Sequence, residues 1–285
     1  MPSRINYEPE SLNKQDNNDL AQSANQSVSI SFKDIECTYA TRTVLQIPEL
    51  TINHGITVLL GANGSGKSSL IKLAAGQSKP SRGNVFVNRK PLNTVNGRQL
   101  ARWVGYLPQH LPVVPGLHVN EFVRMGRYPW RGAFGRYTNT DDVMVKQAIT
   151  ECNLRSLSDS RMSTLSGGEQ QRAWFAMLLA QQSPLWLLDE PLSALDVEHQ
   201  IACMQLVKNH ASDPQHGALL ILHDINHAAI ADRVIVLHAG SIAFDGTAEQ
   251  LLQKDTLKNL FGVTFQMIFT DDNSLPVAVP QWHTD

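Results

Sequence analysis

Eight consecutive residues carry the clearest chemistry in the chain: Gly61, Ala62, Asn63, Gly64, Ser65, Gly66, Lys67 and Ser68. They fit G-x-x-x-x-G-K-[ST], a loop that cradles phosphate groups. Glycines lack a Cβ and let the main chain close around an anion. Residues 56–60 before the loop read as a short buried strand. Residues 69–75 after it carry Leu70, Ile71, Leu73 and Ala74 at helical spacing, and Gly76 stands as a helix stop. The loop therefore joins a strand end to a helix start, where free N–H groups and the positive end of the helix both meet an anion. Lys67 can reach the β- and γ-phosphates of a nucleotide, and the Ser68 hydroxyl can ligate Mg²⁺. The run from Gly61 to Ser68, with Ser69 after it, is thus the expected phosphate site. The dinucleotide pattern G-x-G-x-x-G is excluded, because Ser69 occupies its third glycine position.

Two further apolar runs end in polar residues. Residues 185–188 (Leu-Trp-Leu-Leu) end in Asp189 and Glu190, and residues 218–222 end in His223 and Asp224. Continuous apolar runs of this length suit strands buried on both faces of a parallel sheet, and ligands of such sheets lie beyond the carboxyl ends of the strands. Asp189 is placed to hold Mg²⁺. Glu190 is placed to take a proton from an attacking water, a role that contributes about 10²- to 10⁴-fold in rate. His223 is placed near the γ-phosphate. The spacing His223-Asp224-x-x-His227 resembles H-E-x-x-H, but that zinc pattern needs both histidines on one helix, and here the first closes a strand.

The rest of the chain supplies the elements that position these residues. A 285-residue chain can bury a core without staples. Cys37, Cys152 and Cys203 are widely spaced and odd in number, which points to free thiols. The net charge of −2 gives no global attraction to nucleic acid. No apolar run approaches the roughly 20 residues of a membrane span, and the N-terminus has no apolar signal core. Residues 1–27 read as a polar, disordered tail. From Val28 the pattern turns β-like, with alternation at Val28, Ile30 and Phe32, a short strand from Thr43, and another over residues 85–87: a small antiparallel sheet. Residues from about 110 to 183 read as an inserted helical region, with helices over 143–152 and 170–182. Residues 234–237 and 242–244 flank Ala239-Gly240 as a hairpin. Thr247-x-x-Gln250 opens a helix with a capping box, and residues 263–285 end the chain with a hairpin turning at Asp271, Asp272 and Asn273.

Leu165-Ser166-Gly167-Gly168-Glu169-Gln170-Gln171-Arg172, between the phosphate loop and Asp189, decides the family resemblance. From about Val28 to Gly262 the chain resembles the nucleotide-binding subunit of an ABC transporter. The resemblance implies an α/β P-loop NTPase fold: a RecA-like core with an antiparallel β-subdomain and an inserted helical subdomain. It implies an ATPase with ATP and Mg²⁺ as ligands. It also implies a head-to-tail pair of chains, with each ATP held between the phosphate loop of one copy and Ser166, Gly167 and Gly168 of the other. Further residues match by position. Gln109 corresponds to the glutamine that senses Mg²⁺ and γ-phosphate. Tyr39 corresponds to the aromatic that stacks on adenine, Asp196 in Ser193-Ala194-Leu195-Asp196 to the loop that crosses to the second copy, and His223 to the switch histidine. Ala62, Ser69 and Leu222 depart from the commonest residues at their positions, and none of the three removes a needed functional group.

Residues 123–130, Val-Arg-Met-Gly-Arg-Tyr-Pro-Trp, resemble the matching stretch in the ATPases of ferric siderophore importers, the hydroxamate type in particular. Cobalamin and heme importers are the near alternatives, and an exporter subunit or a soluble ABC ATPase the more distant ones. The implied partners are a second copy, integral membrane permease subunits and, indirectly, a periplasmic substrate-binding protein. The implied location is the cytoplasmic face of the inner membrane. The basic and aromatic residues near this stretch (Arg127, Tyr128, Trp130, Arg131, Phe134, Arg136, Tyr137) are read as a folded loop near the permease contact rather than a nucleic-acid surface.

Overall fold

The computed structural model describes residues 27–132, 135–193, 195–269 and 275–281. The expected polar tail (residues 1–26), the turn at Asp271, Asp272 and Asn273, and the side chains of Phe134 and Ala194 lie outside the described residues.

The chain opens with β1 (Ile30–Tyr39), β2 (Arg42–Ile52) and β3 (Gly55–Gly61), followed by α1 (Lys67–Ala74). Next come β4 (Arg82–Val87), β5 (Lys90–Pro91), α2 (Gly97–Trp103) and β6 (Val104–Leu107). The helices α3 (Val119–Arg124), α4 (Tyr128–Arg131), α5 (Asn139–Glu151) and α6 (Gly167–Gln181) intervene before β7 (Leu185–Asp189). The chain then runs through α7 (Val197–Ala211), β8 (Gly217–Ile221), β9 (Arg233–His238), β10 (Ser241–Gly246), α8 (Ala248–Leu251) and α9 (Lys254–Phe261), and closes with β11 (Phe265–Ile268) and β12 (Val277–Pro280).

Two larger sheets organise these elements, and β11 and β12 pair as a separate antiparallel ribbon. A four-stranded sheet has the order β2-β1-β4-β5, and a six-stranded sheet has the order β10-β9-β3-β8-β7-β6. In the larger sheet β9, β3, β8, β7 and β6 are parallel, and only the hairpin strand β10 is antiparallel. Period-two alternation divides its side chains between two cores. Leu59, Leu187, Leu219, Ile221 and Ile235 face β1, β2, β4 and α1, whereas Val58, Leu60, Trp186, Leu188 and Leu220 face the helices from the other half of the chain. The fold is therefore an α/β P-loop NTPase sheet with an added antiparallel sheet, and α1 is packed in the core between the two.

The local signals act as their chemistry demands. Ser166, Asp196, Thr138 and Thr247 cap helix starts with side-chain oxygens, and the Thr247–Gln250 capping box is present. The hairpin turns through Ala239 and Gly240, both at positive φ. Helix α1 ends at Ala74, and Gly76 follows at φ +68°. One expected element differs: the strand starting near Thr43 runs eleven residues rather than a few. Its second half, Pro48 to Ile52, alternates weakly in apolarity, but pairing with β1 along its length carries it through. Helices α2 and α7 were not expected; α2 buries no residue, and α7 buries only Cys203, Met204 and Val207 while its apolar Val197 and Ile201 stay exposed.

The helices between β6 and β7 hold a buried charge cluster. Asp141 on α5 is fully buried. One of its oxygens accepts from Arg127 Nε at 2.9 Å and the other from Arg131 Nε at 2.6 Å. The Thr138 amide and hydroxyl add bonds at 2.8 Å each. Burial pushes the Asp141 carboxyl up, but the bonds from Arg131, Thr138 and Arg127 together outweigh it and hold the group well below the usual carboxylate range. Replacing Asp141 by Ala leaves Arg127, itself 4% exposed, as an uncompensated buried cation. Asp141→Ala is expected to lower unfolding free energy by about 3–5 kcal/mol, read from urea denaturation. Because the folded-state value is depressed, this contribution is complete above the ordinary carboxylate pKa of about 3.9 and is lost as pH falls further. The stability gap between wild type and Asp141→Ala should therefore be flat from about pH 7 to pH 5 and shrink only in stronger acid.

Candidate functional site

Parallel pairing brings four chain reversals to one edge of the larger sheet. Leu59 lies beside Ile221, Ile221 beside Asp189, and Leu188 beside Leu107. The residues just past these positions, Gly61, His223, Glu190 and Gln109, therefore emerge side by side.

The loop after β3 is shaped by two tight approaches. Gly61 has φ +144°, and a Cβ there would lie 2.3 Å from Leu237 O. Gly66 has φ +104°, and a Cβ there would lie 2.8 Å from Val44 O. Neither position admits another residue without moving main chain. Lys67 is buried, and its Nζ donates to Gly61 O at 2.7 Å and Ala62 O at 3.0 Å. These bonds close the loop upon itself and leave one of three ammonium donors uncommitted. Burial lowers the Lys67 pKa, opposed by the negative charges of Glu190 and Asp189.

Glu190 sits at φ +52°, a left-handed conformation uncommon outside glycine. One of its oxygens accepts from Gln109 Nε2 at 2.6 Å, and the other lies 2.8 Å from His223 Nε2. Two residues from neighbouring strand ends thus converge on the carboxylate of a third. Beside it, Asp189 is 2% exposed, and its Oδ1 has no hydrogen-bond partner. Burial raises the Asp189 pKa, with the charge of Glu190 adding to the effect. Neighbouring Tyr106 is pushed up to about 12 by burial, with Asp189 reinforcing it.

A buried carboxylate oxygen without a partner suits a divalent cation. Asp189 Oδ1, the Ser68 hydroxyl and the Gln109 amide oxygen form an all-oxygen donor set. Too few for a protein cage, they fit Mg²⁺, which takes one or two protein ligands and completes its shell with phosphates and water.

Above these residues lies a cavity of about 560 Å³, lined by Tyr39, Val44, Asn63, Gly64, Gly66, Lys67, Ser68, Ser69, Gln109, Glu190 and His223. Tyr39, at the end of β1, is 56% exposed and free to stack on a flat ligand. Val44 on β2 was not expected; no pattern in the sequence marks an aliphatic residue as a wall of a nucleotide-sized cleft. Gly61, Ala62 and Ser65 belong to the loop but are not in the wall of this cavity. His223 does not share a helix with His227: the segment Ile225–Ile230 is a 3-10 helix and His223 precedes it, so the H-E-x-x-H geometry is absent.

Ser166, Gly167, Gly168 and Asp196 are not in the wall of this cavity. Ser166 caps α6, with its amide and hydroxyl both donating to Glu169 Oε2 at 2.8 Å. A Cβ at Gly167 would meet nothing within 4 Å, so the tip of α6 is open to an approaching ligand. Within one chain, the tip of α6 and the loop after β3 do not line the same cavity.

Comparison with known proteins agrees with this geometry. Residues 45–193 match the family model described as ABC transporter. The iron(3+)-hydroxamate import ATP-binding protein of Bacillus subtilis (strain 168) is 32% identical, covering 88% of this chain and 94% of its own. The chain belongs to the ABC transporter family. The hemin import ATP-binding protein of Rhodopseudomonas palustris (strain BisB18) is 36% identical to this ABC protein, over 84% of this chain and 90% of its own. Among solved structures, a metal-chelate-type ABC transporter in an inward-facing conformation superposes with a TM-score of 0.75 at 26% identity, covering 90% of this chain and 99% of the other.

The stretch around Arg127 is folded into the ABC protein rather than displayed. Arg127 Nη1 donates to Ala180 O at 2.8 Å, Trp130 Nε1 to Gln181 O at 2.7 Å, and Arg98 and Arg102 both donate to Pro129 O. Arg127 and Arg131 from that stretch, with Arg98 and Arg102 from α2, thus tie α2, α4, α5 and α6 together. No helix among the described residues is long and apolar enough to cross a membrane.

Lys67→Ala removes both the loop clasp and the phosphate-facing charge. It is expected to weaken ATP binding at least about 100-fold, roughly the 2.7 kcal/mol of a charged hydrogen bond, measured by isothermal titration; affinity within threefold of wild type would refute the assignment.

Proposed function

We propose that this chain is the ATP-hydrolysing subunit of an importer of iron(III) chelates, of the hydroxamate-siderophore type. The observation that carries the catalytic reading is Glu190 held between Gln109 and His223 at the floor of the cleft. The iron-chelate reading is supported by the hydroxamate-import relative and by the residues 123–130 stretch. The hemin-import relative supports the second reading, a heme importer subunit.

In the proposed mechanism the main-chain N–H groups of Asn63 to Ser68 and the Lys67 ammonium bind the β- and γ-phosphates. Tyr39 stacks on the adenine, and Ser69 extends the polar wall. Ser68, Gln109 and Asp189 would hold Mg²⁺, and the ion would supply charge neutralisation at the terminal phosphates. Glu190 orients water in line with the γ-phosphorus and accepts its proton. His223 holds Glu190 on the side away from Gln109 and reaches the γ-phosphate. Gln109 touches both the metal position and the base, so it links nucleotide state to the loop that follows it.

The tip at Ser166, Gly167 and Gly168, together with Asp196, meets the nucleotide of a second copy. Two copies close on two nucleotides because the closed pair makes contacts the open one lacks. Closure moves α3, α5 and α6 and, with them, the docked permease subunits at the cytoplasmic face of the inner membrane. A periplasmic binding protein delivers the chelate on the opposite side.

Glu190→Gln keeps the hydrogen-bonding shape and removes the base. Hydrolysis is expected to fall about 10²- to 10⁴-fold, while ATP drives the full-length variant into a dimer on size exclusion. Wild-type turnover by this variant would contradict the role of Glu190. In proteoliposomes with the permease and its binding protein, iron(III)-hydroxamate is expected to stimulate ATP hydrolysis; stimulation by hemin alone would favour the second reading.

A further inference from the structure

We propose that His199 is a positioning residue that locks the Ser166 helix tip to the Asp196 loop, so that one chain presents both to the second copy's nucleotide as a single unit. The inference rests on the two-copy reading of the site.

The tip and the loop come from different parts of the fold. Ser166 opens α6, and Asp196 opens α7 after β7. A chain of contacts joins them. Arg172, on α6, reaches with Nη1 to His199 Nε2. An arginine only donates, so Nε2 carries a lone pair and the ring proton resides on Nδ1. That nitrogen lies 2.5 Å from Asp196 Oδ1. The same oxygen accepts the main-chain N–H of His199 at 3.0 Å and so caps α7. At the other end, Glu169 binds the amide and hydroxyl of Ser166 one helical turn before Arg172.

Packing and main-chain bonds run parallel to this bridge. A Cβ at Gly168 would lie 3.7 Å from Leu195 Cδ2, which places Gly168 directly against the residue before Asp196. Gln171 Nε2 donates to Pro191 O, and Gln200 Nε2 donates to Leu195 O at 3.1 Å. Pro191 is therefore held from α6 and Leu195 from α7. The His199 ring bonds to both sides of the clasp. Neither of its contacts reaches the cleft above Lys67, so its effect on hydrolysis must pass through Ser166 and Asp196. A rotation of α6 relative to β7 must either carry Asp196 along or break the His199 bridge.

The test compares His199→Ala, His199→Gln and His199→Asn as full-length chains. His199→Ala is expected to lower kcat about tenfold, with the KM for ATP changed less than twofold. His199→Gln, long enough to accept from Arg172, is expected to recover at least half of the wild-type kcat and to exceed His199→Asn. A His199→Ala kcat within twofold of wild type overturns the proposal. If His199→Ala does not fold, equal rates for the Gln and Asn variants overturn it and a faster Gln variant supports it. Ser166→Arg, assayed alongside, separates the two readings. An active Ser166→Arg chain refutes the two-copy site itself, whereas an inactive one beside a fully active His199→Ala chain refutes the bridge alone.

Discussion

Parallel pairing of β6, β7, β8 and β3 is the constraint on which the rest depends. It places the residues after four separate strands at one sheet edge, where those after β6, β7 and β8 bond to one another. Gln109 and His223 are 114 positions apart in the sequence, yet both touch Glu190. The strained φ of Glu190 belongs to the same geometry: a left-handed residue at the end of β7 turns its carboxylate back across the edge. An antiparallel arrangement would send alternate strand ends to the opposite pole and dissolve the cluster.

Electrostatics follows from depth. Lys67, Asp189 and Tyr106 lie below the edge, and burial moves each toward its neutral form. A buried cation and a buried carboxylate near one another, with an unpartnered Asp189 oxygen, form a site poised for a ligand that carries both anionic oxygens and a divalent ion. The buried charges among the helices behave differently. Asp141 is fully answered by Arg127, Arg131 and Thr138, so that cluster specifies packing rather than chemistry.

Most of the edge was legible in the sequence because its signals are local. The strand–loop–helix around Lys67, the apolar runs before Asp189 and His223, and the serine-capped start of α6 each declare themselves within about ten residues. What was not legible depended on long-range placement. The His223–Glu190 bond, the wall position of Val44 and the clasp of His199 arise from contacts between elements far apart in the chain. The basic residues near Trp130 read in the sequence as a folded loop, without showing which of them is buried; the fold places Arg127 in the interior, bonded to α6. The long second half of β2 was missed because pairing with β1, not its own composition, sustains it.

The central claim is that two copies complete each nucleotide site. A cryo-EM structure of the ATP-loaded Glu190→Gln chain tests it most directly. The account predicts Ser166 Oγ of each copy within about 3 Å of a γ-phosphate oxygen held by the other copy's Lys67 loop. A nucleotide-loaded structure with Ser166 facing solvent, remote from every terminal phosphate, would contradict it.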